Sequence, residues 1–428
     1  MAPTLAQQVL PLIRTRRDLH RWSAANAHGR QMHEAVDILD QAAGVEDPKT
    51  VFTVTQKALD AAVKVIAHAD DSSGIMGDAC RRLIELHPDV AAAAQAPAAA
   101  LVDWMIDFQF HGIVDYFELD PVAYAPALGD IGMARYRKRL AEISARLGPT
   151  PTEADDRRVW EQRFTDPDAW EQSNADRVAR RRLEWNARRL AVLDRDVDAI
   201  IATHLRDGAV AAWYTDTAQA LAEIDEHDPA IEWAKRGADF DRGHQSVTAA
   251  NYWCKLLADQ HPDRVVAARR EVFDRWPTSQ HATALYQAAS HEWPEHRDHV
   301  LAALTEQSGG REAVSFALRG LEDPEQAWTL AHELALDDNY LWDDLATAYE
   351  RIDPVATLPI HTRLVLAQLD QADAANYRRA AKRLAHMRQL AGDDGSQAQE
   401  VDDLIIELRD THRRRPRLQQ EFDRARLP

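Results

Sequence analysis

The chain has 428 residues, 45% of them hydrophobic and 28% charged, so it lies far from disordered compositions and exceeds what one compact core usually holds. Its 70 acidic residues outweigh 51 basic ones for a formal charge of −19, which disfavours nucleic acid and anionic lipid globally and leaves room only for a local basic patch. No apolar run approaches the ~20 residues of a membrane span, and two cysteines supply neither a disulfide framework nor a zinc-ribbon ligand set, so a cytoplasmic chain with no cofactor is expected.

The N-terminal stretch is basic and aromatic, and the apolar patch before Arg14 is too short for a secretion signal. Guanidinium groups neutralise phosphates and an indole stacks on bases. Arg14, Arg16, Arg17, Arg21, Trp22, His28, Arg30 and His33 are therefore the candidate binding residues, with His20 beside them. The competing reading is a helix that docks a partner or packs on its own chain, its arginines paired with the chain's excess carboxylates.

Between Val51 and Ala67, apolar Phe52, Leu59, Val63 and Ile66 recur at helical spacing, which predicts one buried helix face. Asp70, Asp71 and Asp78 then surround two serines and two glycines. Such a density of carboxylates suits a hard cation, but the spacing does not match a twelve-residue calcium loop and no phosphate loop follows. A helix N-cap explains the same letters, so these aspartates are weak metal candidates and no metal is expected. Cys80 and Cys254 lie in apolar helical contexts and read as buried and inert.

Strand signals are nearly absent, and helix starts are marked by Asp-Pro pairs at 47–48, 120–121, 166–167, 228–229, 323–324 and 353–354. Aspartate accepts from first-turn amides, and proline fits where the amide has no partner. Residues 148–175 break the pattern: Pro149 and Pro151 predict a loop, followed by an arginine-rich helix over roughly Asn174 to Asp194. A second break is expected at Gly392–Gly395, before a last helix containing Val401 to Leu408 and an arginine run from Arg413.

The C-terminal half carries a repeat, with prolines 229, 262, 294, 324 and 354 spaced by 33, 32, 30 and 30 residues, each opening a similar helical stretch. A period holding two short helices has the size of a tetratricopeptide unit, although the full consensus is not present. The expected architecture is all-α, with a right-handed superhelix (an α-solenoid of antiparallel, tetratricopeptide-like helix pairs), most clearly in the C-terminal half. The boundaries read as an N-terminal helical domain 1–147, a loop 148–175 and a repeat domain 176–428. The latter holds units near 229–261, 262–293, 294–323, 324–353 and 354–391 and a capping helix 398–425. Trp104, Trp213, Trp233, Trp253, Trp276, Trp328 and Trp342 read as packing residues. His291 and His296 are five apart with Pro294 between them, so they do not form a helix-borne zinc motif.

The stretches 12–33, 70–83, 101–106, 127–132 and 407–415 carry a likeness to known sequences. Through them the chain resembles an uncharacterised family of actinobacterial helical proteins, similar to the helical regions C-terminal to SWIM-type zinc fingers. The zinc-finger cysteines themselves are missing here. The resemblance implies a fold and a company kept, with no reaction attached.

These readings converge on a non-enzymatic protein-interaction scaffold with protein partners. The alternatives are a nucleic-acid-associated accessory protein using the N-terminal arginines, and a metal-dependent enzyme using the Asp70, Asp71 and Asp78 cluster.

Overall fold

The computed structural model describes residues 3–114, 116–306, 309–392 and 395–428. All regular elements among them are helical; one isolated bridge pairs Leu19 with Ala69. In chain order the helices are α1 (Leu5–Ile13), α2 (Trp22–Ala42), α3 (Pro48–Ile66), α4 (Ile75–Ala93), α5 (Ala98–Phe110), α6 (Pro121–Leu147), α7 (Glu153–Gln162), α8 (Pro167–Leu193) and α9 (Val197–Leu205). There follow α10 (Ala211–Glu223), α11 (His227–Asp239), α12 (His244–Gln260), α13 (Val265–Arg275), α14 (Ser279–Ala289), α15 (Trp293–Thr305), α16 (Arg311–Ser315) and α17 (Pro324–Glu333). The last are α18 (Asn339–Tyr349), α19 (Leu358–Leu369), α20 (Ala374–Ala391), α21 (Ser396–Thr411) and α22 (Pro416–Arg424). Among the described residues no helix is long and apolar enough to cross a membrane.

Four of the Asp-Pro pairs start helices as the sequence suggests. Asp47, Asp120, Asp166 and Asp323 accept from the amides of Thr50, Val122, Ala169 and Gln326 at 2.9 to 3.0 Å, with proline next in line. The other two differ. His227 opens α11, and Pro229 is tolerated inside its first turn because that amide has no helical acceptor anyway. Asp353 caps only a turn, accepting from Ala356 at 3.0 Å. A continuous helix from Pro354 would need an amide hydrogen that Pro359 lacks, so α19 begins afresh at Leu358.

The chain divides into two compact units, residues 1–209 with 216–230 and residues 210–215 with 231–428. In the first, α1 to α4 share a core of Val9, Ile13, Met32, Val36, Leu39, Leu59 and Leu83. Helices touch both the next in line (α1 on α2, α3 on α4, α5 on α6) and the next but one (α1 on α3, α2 on α4, α4 on α6, α6 on α8). The apolar face expected around Leu59, Val63 and Ile66 is buried in α3, while Phe52 packs at its margin.

Two polar constructions sit in this apolar setting. Gln109 Nε2 donates to the Tyr136 hydroxyl at 2.7 Å, which donates to Asn186 Oδ1 at 2.6 Å; Asn186 Nδ2 returns to Gln109 Oε1 at 3.0 Å. This closed ring ties α5, α6 and α8 and leaves none of its members unpaired, the condition under which buried polar groups hold a structure together. The His87 ring stacks on Trp104 at 4.4 Å between Phe52 and Tyr124, with Nδ1 2.9 Å from the Tyr124 hydroxyl. Burial pushes its pKa down to about 3.

The stretch read as a loop at 148–175 contains α7 and the first turns of α8. Pro149 and Pro151 forbid helix only up to themselves; Thr152 then caps α7 in a reciprocal bond with Asp155. Nothing described in α7 is buried. Trp160 meets Trp170 edge to face at 5.5 Å, and the Arg163 guanidinium lies 4.0 Å over Trp160, so this hairpin is held by its own aromatic contacts.

In the second unit each helix from α12 to α20 packs on the next, and α22 packs on α20. Every expected period holds two helices: α11 and α12, α13 and α14, α15 and α16, α17 and α18, α19 and α20. Residues 262–264 form a short 3-10 turn ahead of α13, and Phe316–Gly320 widen into a π turn after α16. Trp253 and Trp342 are buried, and Trp328 stacks on Tyr349 at 4.3 Å. The single expected capping helix is two, α21 and α22, broken at Pro416. Arg415 donates to the Leu369 carbonyl at the end of α19 at 2.7 Å, a favourable place for a cation. Asp393 and Asp394, in the second expected break, lie outside the described residues.

His87 gives a pH test. Its pKa falls from 6.5 unfolded to about 3 folded, so its contribution is complete above pH 6.5 and is lost as pH drops towards 3. Urea melts across that window should show wild-type stability falling, with one proton contributing about 1.4 kcal/mol per pH unit. A His87→Gln variant, less stable at neutrality, should show a slope shallower by that amount.

Candidate functional site

Arg14, Arg16, Arg17 and Arg21 fall on the connector between α1 and α2, and Trp22 is the first residue of α2. The connector is extended and anchored. Leu19 is buried, its carbonyl accepts from the Asp70 amide at 2.9 Å, and Asp18 accepts from the His20 amide at 2.9 Å. This pinning turns Arg14, Arg16, Arg17, His20 and Arg21 outward; Arg30, further along α2, is exposed too. Trp22 is 58% exposed, a large apolar surface to leave in water.

Among the described residues none of these five arginines is joined to a carboxylate, although the chain carries a large acidic excess. The reason is local. Residues 1–33 hold five arginines against a single acid, Asp18, which is engaged by a backbone amide. The self-pairing expected for these arginines is therefore not formed.

The two histidines of the same set face inward. His28 is buried with Nε2 2.9 Å from the Ile13 carbonyl, fastening α2 to the end of α1. His33 Nε2 lies 3.0 Å from the Ile75 carbonyl, and its Nδ1 3.2 Å from Arg82, which also holds Asp37 and Asp40. Gly29 admits this close approach, since a Cβ there would meet Ile75 Cγ2 at 2.5 Å. The candidate surface thus consists of Arg14, Arg16, Arg17, Arg21, Trp22 and Arg30, with His28 and His33 beneath it.

The aspartates of the cluster are engaged by backbone amides and by Arg81. Asp71 accepts from the amides of Met76 and Gly77 at 2.9 and 2.8 Å, capping α4. Asp70 accepts from Ser72, and Asp78 pairs with Arg81 one turn on. Cys80 and Cys254 are buried, with thiols pushed up to about 12 and about 11 by burial, which keeps them protonated. His296 and His299 face Arg270 and Asp274 of α13.

A cluster that spacing did not reveal lies in the second unit. Glu350, at the end of α18, places Oε1 2.9 Å from Nε2 of His361 on α19 and 2.9 Å from Nε2 of His386 on α20. The two rings meet edge to face at 5.8 Å. Arg383 Nη1 is 3.0 Å from His361 Nδ1, and the same guanidinium is held by both oxygens of Asp343 at 2.8 and 2.9 Å. Burial and the Arg383 cation lower the His361 pKa, against the opposing pull of Glu350. The only signal in the sequence is that His361 shares a helical face with the buried Leu358, Leu364 and Val365.

Residues 4–418 match the model of a family of unknown function, DUF6880. No curated protein matches the chain.

The capping role of Asp71 is testable. Asp71→Ala removes two first-turn acceptors and should lower stability by about 1 kcal/mol in urea melts. Added calcium should leave the melts of both proteins where they are.

Proposed function

We propose that this chain, which belongs to the DUF6880 family of unknown function, is a non-enzymatic scaffold that holds acidic segments of partner proteins. The observation that carries the reading is the connector of exposed arginines, to which no carboxylate among the described residues is attached. In a molecule of net charge −19, a surface so charged is kept clear by its own sequence neighbourhood, and an anionic segment is its complement. Residues 229–391, with two helices per period and each helix leaning on the next, support a right-handed superhelix of antiparallel pairs, an α-solenoid of tetratricopeptide type. Such an array offers an extended surface along which a partner lies. The company implied by the resemblance, SWIM-type zinc-finger proteins in an actinobacterial cytoplasm, would supply one.

A second reading has one observation in its favour. Trp22 stands exposed beside the arginines, and an indole next to guanidinium groups is the arrangement that stacks bases while neutralising phosphates.

Fluorescence anisotropy separates the two. At ~50 mM salt, a labelled glutamate-rich peptide should bind the full chain while a single-stranded oligonucleotide does not. Reversing Arg14, Arg16, Arg17 and Arg21 to glutamate should weaken the peptide by at least about tenfold, or ~1.4 kcal/mol. Binding of the oligonucleotide that falls steeply with salt would transfer the case to the second reading. If neither probe binds, and affinity purification from the host returns no repeatable partner, the scaffold proposal fails.

A further inference from the structure

We propose that Glu350, His361 and His386 form a binding site for a divalent transition metal ion of the zinc class, gated by Arg383. One carboxylate oxygen and two imidazole nitrogens lie within 4.8 Å of one another, on three consecutive helical elements of one unit. Bonds of about 2.0–2.1 Å around a tetrahedral ion place neighbouring ligand atoms roughly 3.3 Å apart. The 2.9 Å separations from Glu350 Oε1 to both Nε2 atoms need to open by only a few tenths of an ångström.

The donor set selects the ion. Two imidazoles and one carboxylate suit zinc and its cobalt substitute, whereas magnesium and calcium require shells of oxygen. His361, with its side chain 2% exposed, is the fixed anchor. His386, 43% exposed, gives access from solvent and leaves a fourth position for water. Glu350 and Asp343 against Arg383 leave the surroundings with a net negative charge before the histidines are counted, which favours a cation.

Arg383 sets the condition for loading. Its guanidinium only donates, so at 3.0 Å it obliges His361 Nδ1 to accept and puts the imidazole proton on Nε2, pointing at Glu350. A metal on Nε2 reverses this: the proton moves to Nδ1 and faces a donor. Loading therefore requires Arg383 to withdraw. The next group in the contact chain is the Asp343 carboxylate, and a carboxylate is the partner that the second nitrogen of a metal-bound histidine usually takes. For His386, no group among the described residues bonds Nδ1, so its proton can move there without conflict. The metal form and the hydrogen-bonded form exclude each other, and Arg383 stabilises the second.

Titration of the full chain with zinc by calorimetry, and with cobalt by its visible absorption, tests this. Wild type should take up one equivalent, His386→Gln should weaken it by at least about tenfold, and Arg383→Met, which keeps the aliphatic bulk and removes the opposing donor, should tighten it by about tenfold, the scale on which partners of metal-bound histidines shift affinity. Circular dichroism checks that each variant is folded; Arg383→Gln replaces Arg383→Met if the latter is not. The proposal is overturned if neither wild type nor the Arg383 variant binds at millimolar metal, if the Arg383 variant binds no tighter than wild type, or if His386→Gln leaves affinity unchanged. The last result would place the ion on other histidines among the 18 in the chain.

Discussion

Nearly all the described helices depend on a neighbour to cover an apolar stripe, α7 excepted. Most of the described helices have 13 residues or fewer, lengths that are marginal alone in water. Burial of Leu59, Leu83, Leu345 or Leu384 happens only where a second and third helix close over them. At about 25 cal/mol per Å² of apolar surface, that closure is the dominant favourable term, and it is available only to helices stacked in order. The contacts of α1 with α2 and α3, and of α12 to α20 each with the next, follow from this need.

Polar groups in the interior are distributed to serve that stacking. The ring of Gln109, Tyr136 and Asn186 fixes three helices in one register, because a slip would leave several donors and acceptors dry at once. Glu350 with His361, His386, Arg383 and Asp343 does the same for α18, α19 and α20 in the second unit. The two constructions differ in kind. The first is neutral and closed; the second is charged, reaches the surface at His386, and can hold its protons in more than one arrangement.

Charge outside the core follows a local logic too. Several arginines of the chain have a carboxylate within reach, as Arg135 has Asp103, Arg189 has Asp120 and Glu223, and Arg319 has Asp344. Arg14, Arg16, Arg17, Arg21 and Arg30 have none attached among the described residues, because their stretch holds almost no acid and Leu19 keeps the connector extended. Side-chain entropy opposes long-range pairing at an exposed surface, so an excess of distant acid does not reach these arginines.

The amino-acid sequence by itself determined the helical class, four of the helix starts and the two-helix content of each period. These are properties of contiguous residues: an aspartate before a proline, a 3.6-residue stripe, a recurring proline. It also marked Arg14, Arg16, Arg17, Arg21 and Trp22, because a run of one charge sign stays visible in one dimension. Tertiary structure alone decided that His28 and His33 turn inward, that Asp70, Asp71 and Asp78 serve amides and Arg81, and that Pro359 delays α19. It alone brought Glu350, His361 and His386 together, from positions 11 and 25 residues apart, where no spacing rule applies. The physical reason is common to all of these. Which face of a helix is inside depends on what closes over it, and that partner lies on another segment of the chain.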